Sequence, residues 1–315
     1  MEPEGPAEHR VAVVGAIMPF FRDWLADRYA AASVADIPEA AAVAVAVVGP
    51  GPTIGATEMD ALPGLEAITV YGVGYDNVDV AEAARRGIVV SHTPDVLDDA
   101  VADLTVALVL DVLRGVTAAD RFVRSGKWAA GERFPLTREV GRTRVGILGL
   151  GRIGSATAER LSALGADITY HSRSPKDVPW AYAATPVDLA RLSDVVVVLT
   201  PGGDGTRHLV NRDVLDALGP GGFLVNVARG SVVDEDALVE ALAEHRIAGA
   251  GLDVFADEPH VPEQLLTLDN VVLTPHIASA TVATREAMAR LVMDNIDAHL
   301  AGRTLVTPVP EMGRA

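Results

Sequence analysis

A chain of 315 residues, about half of them apolar, can enclose large cores and suits two domains, which excludes a disordered or fibrous protein. A formal net charge of −17 argues against a nucleic-acid surface or an anionic membrane, so cations that meet an anionic ligand must act locally, with Arg152, Arg173 and Arg229 the candidates. The absence of cysteine excludes disulfides, thiolate nucleophiles and cysteine-ligated metals and is compatible with a reducing compartment. The start, MEPEGPAEHR, lacks the basic region of a secretion signal, and no apolar run is long enough to span a bilayer, so a cytoplasmic protein without a metal site is expected.

In chain order, short β-branched runs at Val11 to Val14, Val43 to Val48, Ala67 to Val70 and Ile88 to Val90 alternate with segments of helical period such as Phe20 to Tyr29 and Val80 to Arg86. Such alternation predicts a parallel sheet covered by helices. Between Asp98 and Gly115, Val101, Leu104, Thr105, Leu108 and Val112 recur at helical spacing among further apolar residues, which predicts a helix buried nearly all round. Lys127, Trp128 and the stretch from Gly131 to Pro135 have little periodicity and read as an arm, suited to a homodimer contact. A second strand series follows at Val145, Ile168 to Tyr170, Val195 to Leu199, Phe223 to Asn226, Ala248 to Leu252 and Val271 to Leu273. Thr281 to Leu300 then forms a long helix that returns the chain to the first domain. The expectation is α/β, with two doubly wound parallel sheets: residues 1–97 with 285–315 form one domain and 98–284 the other, with a cleft between the lobes.

The segment VGILGLGRIG opens the second series as strand, glycine turn and helix. Gly149 permits the turn, Gly151 lets backbone approach a pyrophosphate, and Gly154 lets the helix pack on the strand; Arg152 and Ile153 begin the helix whose N–H groups meet the phosphates. A unit selective for NAD carries a carboxylate about 20 residues further on. Here that tip reads His171, Ser172, Arg173, Ser174, where a guanidinium and two hydroxyls suit a 2′-phosphate, so NADPH is the expected cofactor. Arg229 and His276 each follow a predicted strand, at the carboxyl ends where open α/β sheets bind ligands. In YGVGYDNVD, Gly72 and Gly74 permit a turn whose Val73 and Gly74 N–H groups can receive a carboxylate. Ser279 either reaches the substrate or caps the last helix.

VGYDNVD, TPDVLDDAVADLTVAL, GLGRIG, LVNVARGSVVDEDAL, AGAGLDVFADEP and TPHIASAT together resemble the D-isomer-specific 2-hydroxyacid dehydrogenases, in particular the glyoxylate/hydroxypyruvate and 2-ketogluconate reductases. The resemblance implies a Rossmann cofactor domain inserted into a flavodoxin-like substrate domain. It also implies that Arg229 grips the substrate carboxylate and polarises the carbonyl, that His276 supplies the proton, that Glu258 orients His276, and that Asp253 contacts the nicotinamide amide. The implied reaction is NADPH-dependent reduction of a small 2-oxo acid such as glyoxylate or hydroxypyruvate to the D-2-hydroxy acid. PGGDGTRHL, at Pro201 to Leu209, departs from the threonine-rich turn of many relatives and is more similar to the 2-ketogluconate-reducing branch. The alternatives are a 2-ketogluconate or broad sugar-acid reductase and, in another class, a non-catalytic dinucleotide sensor that binds partner proteins.

Overall fold

The computed structural model of the chain describes residues 10–38 and 40–312; the acidic start, through residue 9, lies outside the described residues. Two compact units form, one from the chain up to Leu97 and from Thr281 onward, the other from Asp98–Ala280. The second crossing falls at Thr281, just ahead of the position 285 expected from the sequence.

In the first unit, β1 (Val11–Val14), α1 (Pro19–Tyr29), β2 (Ala32–Ser33), β3 (Val45–Val48), α2 (Ala56–Asp60), β4 (Ala67–Val70), α3 (Val80–Arg85) and β5 (Val89–Ser91) follow one another. The five strands are parallel in the order β2-β1-β3-β4-β5, which is the flavodoxin-like winding. β3 and β4 are buried along their whole length, as strands covered on both faces must be, and for that reason they read as continuous apolar runs rather than alternating ones.

The second unit opens with α4 (Asp98–Arg114) and α5 (Val116–Arg124). Then come β6 (Arg144–Leu148), α6 (Arg152–Ala163), β7 (Asp167–His171), β8 (Ala181–Tyr182), α7 (Pro186–Arg191), β9 (Val195–Val198), α8 (Arg212–Leu218) and β10 (Phe223–Asn226). α9 (Glu235–Ala243), β11 (Gly249–Leu252), α10 (Glu263–Thr267) and β12 (Val271–Leu273) complete it. Its seven strands lie in the order β12-β11-β10-β9-β6-β7-β8, so the winding reverses between β6 and β9, the switch point at which a Rossmann sheet gathers its ligand. The chain then returns through α11 (Val282–Leu300), capped by the Thr281 hydroxyl on the Thr284 N–H and buried in the first unit along Met288, Ala289, Val292 and Ile296.

α4 corrects one expectation. It is not buried all round: Val101, Ala102, Thr105, Leu108, Val109 and Leu113 form a buried stripe, whereas Asp99, Asp103, Ala107 and Arg114 are exposed. The buried stripe lies close on the sheet because β11 offers a glycine there; a Cβ at Gly251 would stand 3.2 Å from Val112 and 3.3 Å from Leu108. The exposed acids instead hold α6, through Arg160 to Asp99 at 2.7 Å and to Asp103 at 2.8 Å.

Candidate active site

At the switch point, the turn out of β6 is shaped by contacts that only glycine tolerates. Gly149 has φ +104, and a Cβ on it would stand 2.7 Å from the Thr200 nitrogen. A Cβ on Gly154 would meet the Gly149 carbonyl oxygen at 2.3 Å, so α6 sits directly against the turn. Gly151 differs from both: nothing lies within 4 Å of its Cβ position, and it caps α6 without a side chain to occupy the N-terminal N–H groups. No acidic residue stands in that first turn. An open glycine at an uncapped helix start, with Arg152 and Ile153 beginning the helix, fits a bound pyrophosphate.

The tip of β7 is tied to the same turn, because the Gly149 N–H donates to the His171 carbonyl at 2.9 Å. The Ser172 hydroxyl donates to the Ser174 carbonyl at 2.8 Å and closes the tip. Arg173 is exposed and has no hydrogen bond or ion pair with another described residue. Arg152 makes a 3.2 Å bond to Asp98. In the 201–209 loop the Thr206 hydroxyl donates to the Pro201 carbonyl at 2.7 Å, and Gly203 has open space about it.

The other cluster forms at the carboxyl ends of β10, β11 and β12. Asn226, buried at the end of β10, accepts the Ala228 N–H at 3.1 Å and donates to the Arg229 carbonyl at 3.0 Å, which turns the chain so that Arg229 follows the strand. The adjoining Gly230 packs so closely that a Cβ there would lie 2.0 Å from the carbonyl of Phe255 and 2.4 Å from the Ala256 nitrogen. This close approach joins the Arg229 turn to the loop that carries Glu258. Glu258 accepts the Phe255 N–H at 3.0 Å and His276 Nδ1 at 2.6 Å. Burial pushes the Glu258 carboxyl up, but the hydrogen bonds from His276 and Phe255, with the charges of His276 and Arg229, outweigh it and hold the group below its ordinary 4.5. The Arg229, Glu258 and His276 side chains are therefore electrostatic neighbours.

Asp253, which the resemblance makes a cofactor contact, is fully buried, and its carboxylate accepts the Thr274 hydroxyl at 2.6 Å, the Ile277 N–H at 2.9 Å and the Ala278 N–H at 2.9 Å. Its observed work is to bind the loop around His276, whose own N–H donates to the Asp253 carbonyl and whose φ is +52. Ser279 lies in the turn beyond and is not the cap of α11, a position held by Thr281. Val73 and Gly74 belong to the first unit, in the loop after β4, and neither N–H donates to another described group. Asn226 and Gly230 went unassigned at the sequence level; the only signal for them was their place inside the motif around Arg229. Among the described residues no group of three or more His, Asp or Glu is placed to hold a metal, and no helix is long and apolar enough to cross a membrane.

A glycine turn at a Rossmann switch point, together with an arginine and a carboxylate-bound imidazole at neighbouring strand ends, defines a dinucleotide-dependent dehydrogenase. Residues 106–278 match the D-isomer specific 2-hydroxyacid dehydrogenase, NAD binding domain. The chain is 52% identical over 249 residues to a glyoxylate/hydroxypyruvate reductase of Arabidopsis thaliana, covering 79% of each. It is 48% identical over 262 residues to a 2-ketogluconate reductase of Gluconobacter oxydans, covering 83% of this chain and 84% of that one. Its structure is similar, at TM-score 0.91 and 44% identity, to an NADPH-dependent glyoxylate/hydroxypyruvate reductase of Sinorhizobium meliloti in complex with NADP and malonate, over 96% and 97% of the two chains. The chain belongs to the D-isomer-specific 2-hydroxyacid dehydrogenases.

Two outcomes follow from this geometry. Gly230→Ala forces the Arg229 turn away from the Phe255–Ala256 backbone; we expect a loss of about 1–3 kcal/mol in denaturant unfolding and a fall in kcat/KM of roughly tenfold or more, both measured on the purified variant. Because the Glu258 pKa is depressed, the stability it contributes is present above its ordinary value and is lost as pH falls through the lower, folded value. The difference in thermal midpoint between the parent and Glu258→Gln is therefore expected to hold at about pH 5 and to shrink steadily toward about pH 3.

Proposed function

We propose that the protein reduces small polar 2-oxo acids, glyoxylate and hydroxypyruvate foremost, with NADPH, and gives the D-configured hydroxy acid where a stereocentre arises. The observation that carries this reading is the 2.6 Å bond from His276 Nδ1 to a carboxylate held ionised beside Arg229. With Nδ1 committed to Glu258, Nε2 is the nitrogen left to deliver a proton to the carbonyl oxygen. Arg229 holds the substrate carboxylate and draws electron density from the carbonyl. The Val73 and Gly74 N–H groups, in the first unit, are donors suited to a substrate carboxylate. When bound, NADPH supplies the hydride to the keto carbon, and Glu258 stabilises the imidazolium until the proton has left. Arg173, with Ser172 and Ser174, receives the 2′-phosphate of the cofactor.

A 2-ketogluconate or broader sugar-acid reductase is the second reading, favoured by the 48% identity to the Gluconobacter oxydans enzyme and by the Gly202–Gly203 loop. A panel of 2-oxo acids with both nicotinamide cofactors ranks the two. We further propose a cytoplasmic homodimer. The lack of cysteine suits a reducing compartment, and exposed Val116, Val123, Trp128 and Leu136 on α5 and the arm are apolar enough to favour a second copy of the chain.

For the proton donor, His276→Gln is expected to lower kcat by about a thousandfold or more while the NADPH dissociation constant stays within about threefold of the parent. Turnover that survives the substitution removes His276 from the mechanism, and a parent without activity at the NADPH absorbance band favours the non-catalytic sensor. For cofactor choice, Arg173→Ala is expected to raise the KM for NADPH about tenfold and leave that for NADH little changed. Equal efficiency of the parent with both cofactors refutes the assignment of the tip.

A further inference from the structure

We propose that His92, which lies outside the reacting set, is a positioning residue that aims the Gly74 N–H at the substrate carboxylate. This rests on the reading of Val73 and Gly74 as carboxylate donors. His92 stands just past β5, and its Nδ1 lies 2.8 Å from the Val73 carbonyl oxygen. A carbonyl oxygen only accepts, so Nδ1 carries the hydrogen and donates it. The Val73–Gly74 peptide is trans, and a planar trans peptide points its C=O and the following N–H in opposite directions. Holding the Val73 oxygen on the imidazole therefore turns the Gly74 hydrogen to the opposite side. Glycines on both sides of Val73 leave this peptide easy to rotate, so an external hold on its oxygen decides where the N–H points.

The imidazole can serve as that hold because its own backbone is fixed twice. The His92 N–H donates to the Thr307 carbonyl at 3.2 Å, and the His92 carbonyl accepts the Thr307 hydroxyl at 2.6 Å. Thr307 is in turn bound by the buried Asn295 of α11 at 2.9 and 3.0 Å. The Tyr75 ring meets the imidazole edge-on, at 5.2 Å between centroids and 86° between planes, and the next residue, Thr93, donates its N–H to the Gly72 carbonyl at 2.9 Å. The loop is thus gripped at both ends by the 92–93 segment, with the Val73 oxygen held from a side chain between them.

Two substitutions separate the hydrogen bond from ring packing. His92→Phe keeps an aromatic ring against Tyr75 and removes the donor; His92→Asn loses the ring and keeps an amide N–H where Nδ1 stands. We expect His92→Phe to raise the KM for glyoxylate and the inhibition constant of malonate together, by about tenfold, with a smaller change in kcat and none in the KM for NADPH. His92→Asn is expected to recover most of both affinities. A parent that reduces no 2-oxo acid overturns the function proposed above. An active parent whose His92→Phe variant keeps both affinities, or whose His92→Asn variant is impaired as much as His92→Phe, overturns the positioning role alone.

Discussion

The carboxyl group of Asp253 is enclosed on every side, and a polar group without water is stable only if the protein supplies its hydrogen bonds. It receives three, from Thr274, Ile277 and Ala278, so the chain after β12 must wrap around it rather than continue straight. The wrap leaves His276 at φ +52, a conformation that costs a non-glycine residue about 1–2 kcal/mol. An intramolecular hydrogen bond contributes about 0.5–1.5 kcal/mol net, so the three around Asp253 together offset that strain. The imidazole accordingly leaves its backbone in the direction of Glu258, and the placing of the Glu258–His276 pair depends on a residue that is itself inaccessible.

Glycine converts this local arrangement into a shared one. At Gly230 the backbone of one loop lies against the backbone of another with no side chain between them, so the positions of Arg229 and Glu258 are set by main-chain contact and not by the rotamers of long side chains. Gly149 and Gly154 do the same for the dinucleotide turn, one against Thr200 and the other against the Gly149 carbonyl. Gly151, by contrast, is placed to leave room. Three glycines are used for contact and one for access, a distinction that spacing alone does not make.

The strands of both sheets were legible because they are runs of β-branched residues bounded by turn chemistry, and their parallel pairing followed from the helices between them. The edge strands β2 and β8, two residues each, carry too little pattern to be read. α5 was missed because it has no buried residue, and its apolar side chains face outward, where core periodicity says little. Reading α4 as buried nearly all round overlooked that Asp99 and Asp103 are satisfied by Arg160, which sits 57 or more residues away in sequence. Arg229, Glu258 and His276 were identifiable from their motifs, whereas Asn226, Gly230 and the loop-binding work of Asp253 depend on distances between segments that no single segment encodes.

The net charge of −17 makes the surroundings of the protein repellent to the anions it is proposed to bind, so attraction has to come from groups within about a Debye length of roughly 8 Å. Several arginines are not available for it. Arg144 is taken up by Asp194, Arg160 by Asp99 and Asp103, and Arg246 by Asp216 and Glu244. The donors proposed for anions are of two kinds: backbone N–H groups, at Val73, Gly74 and the start of α6, and guanidinia, at Arg229 and at Arg173, the latter with no partner among the described residues. Both act over a few ångströms and only in one direction. An acidic chain that binds anions in this way gains little from long-range steering and draws its selectivity from contact geometry, which is why the orientation of individual peptides and one imidazole can decide what it accepts.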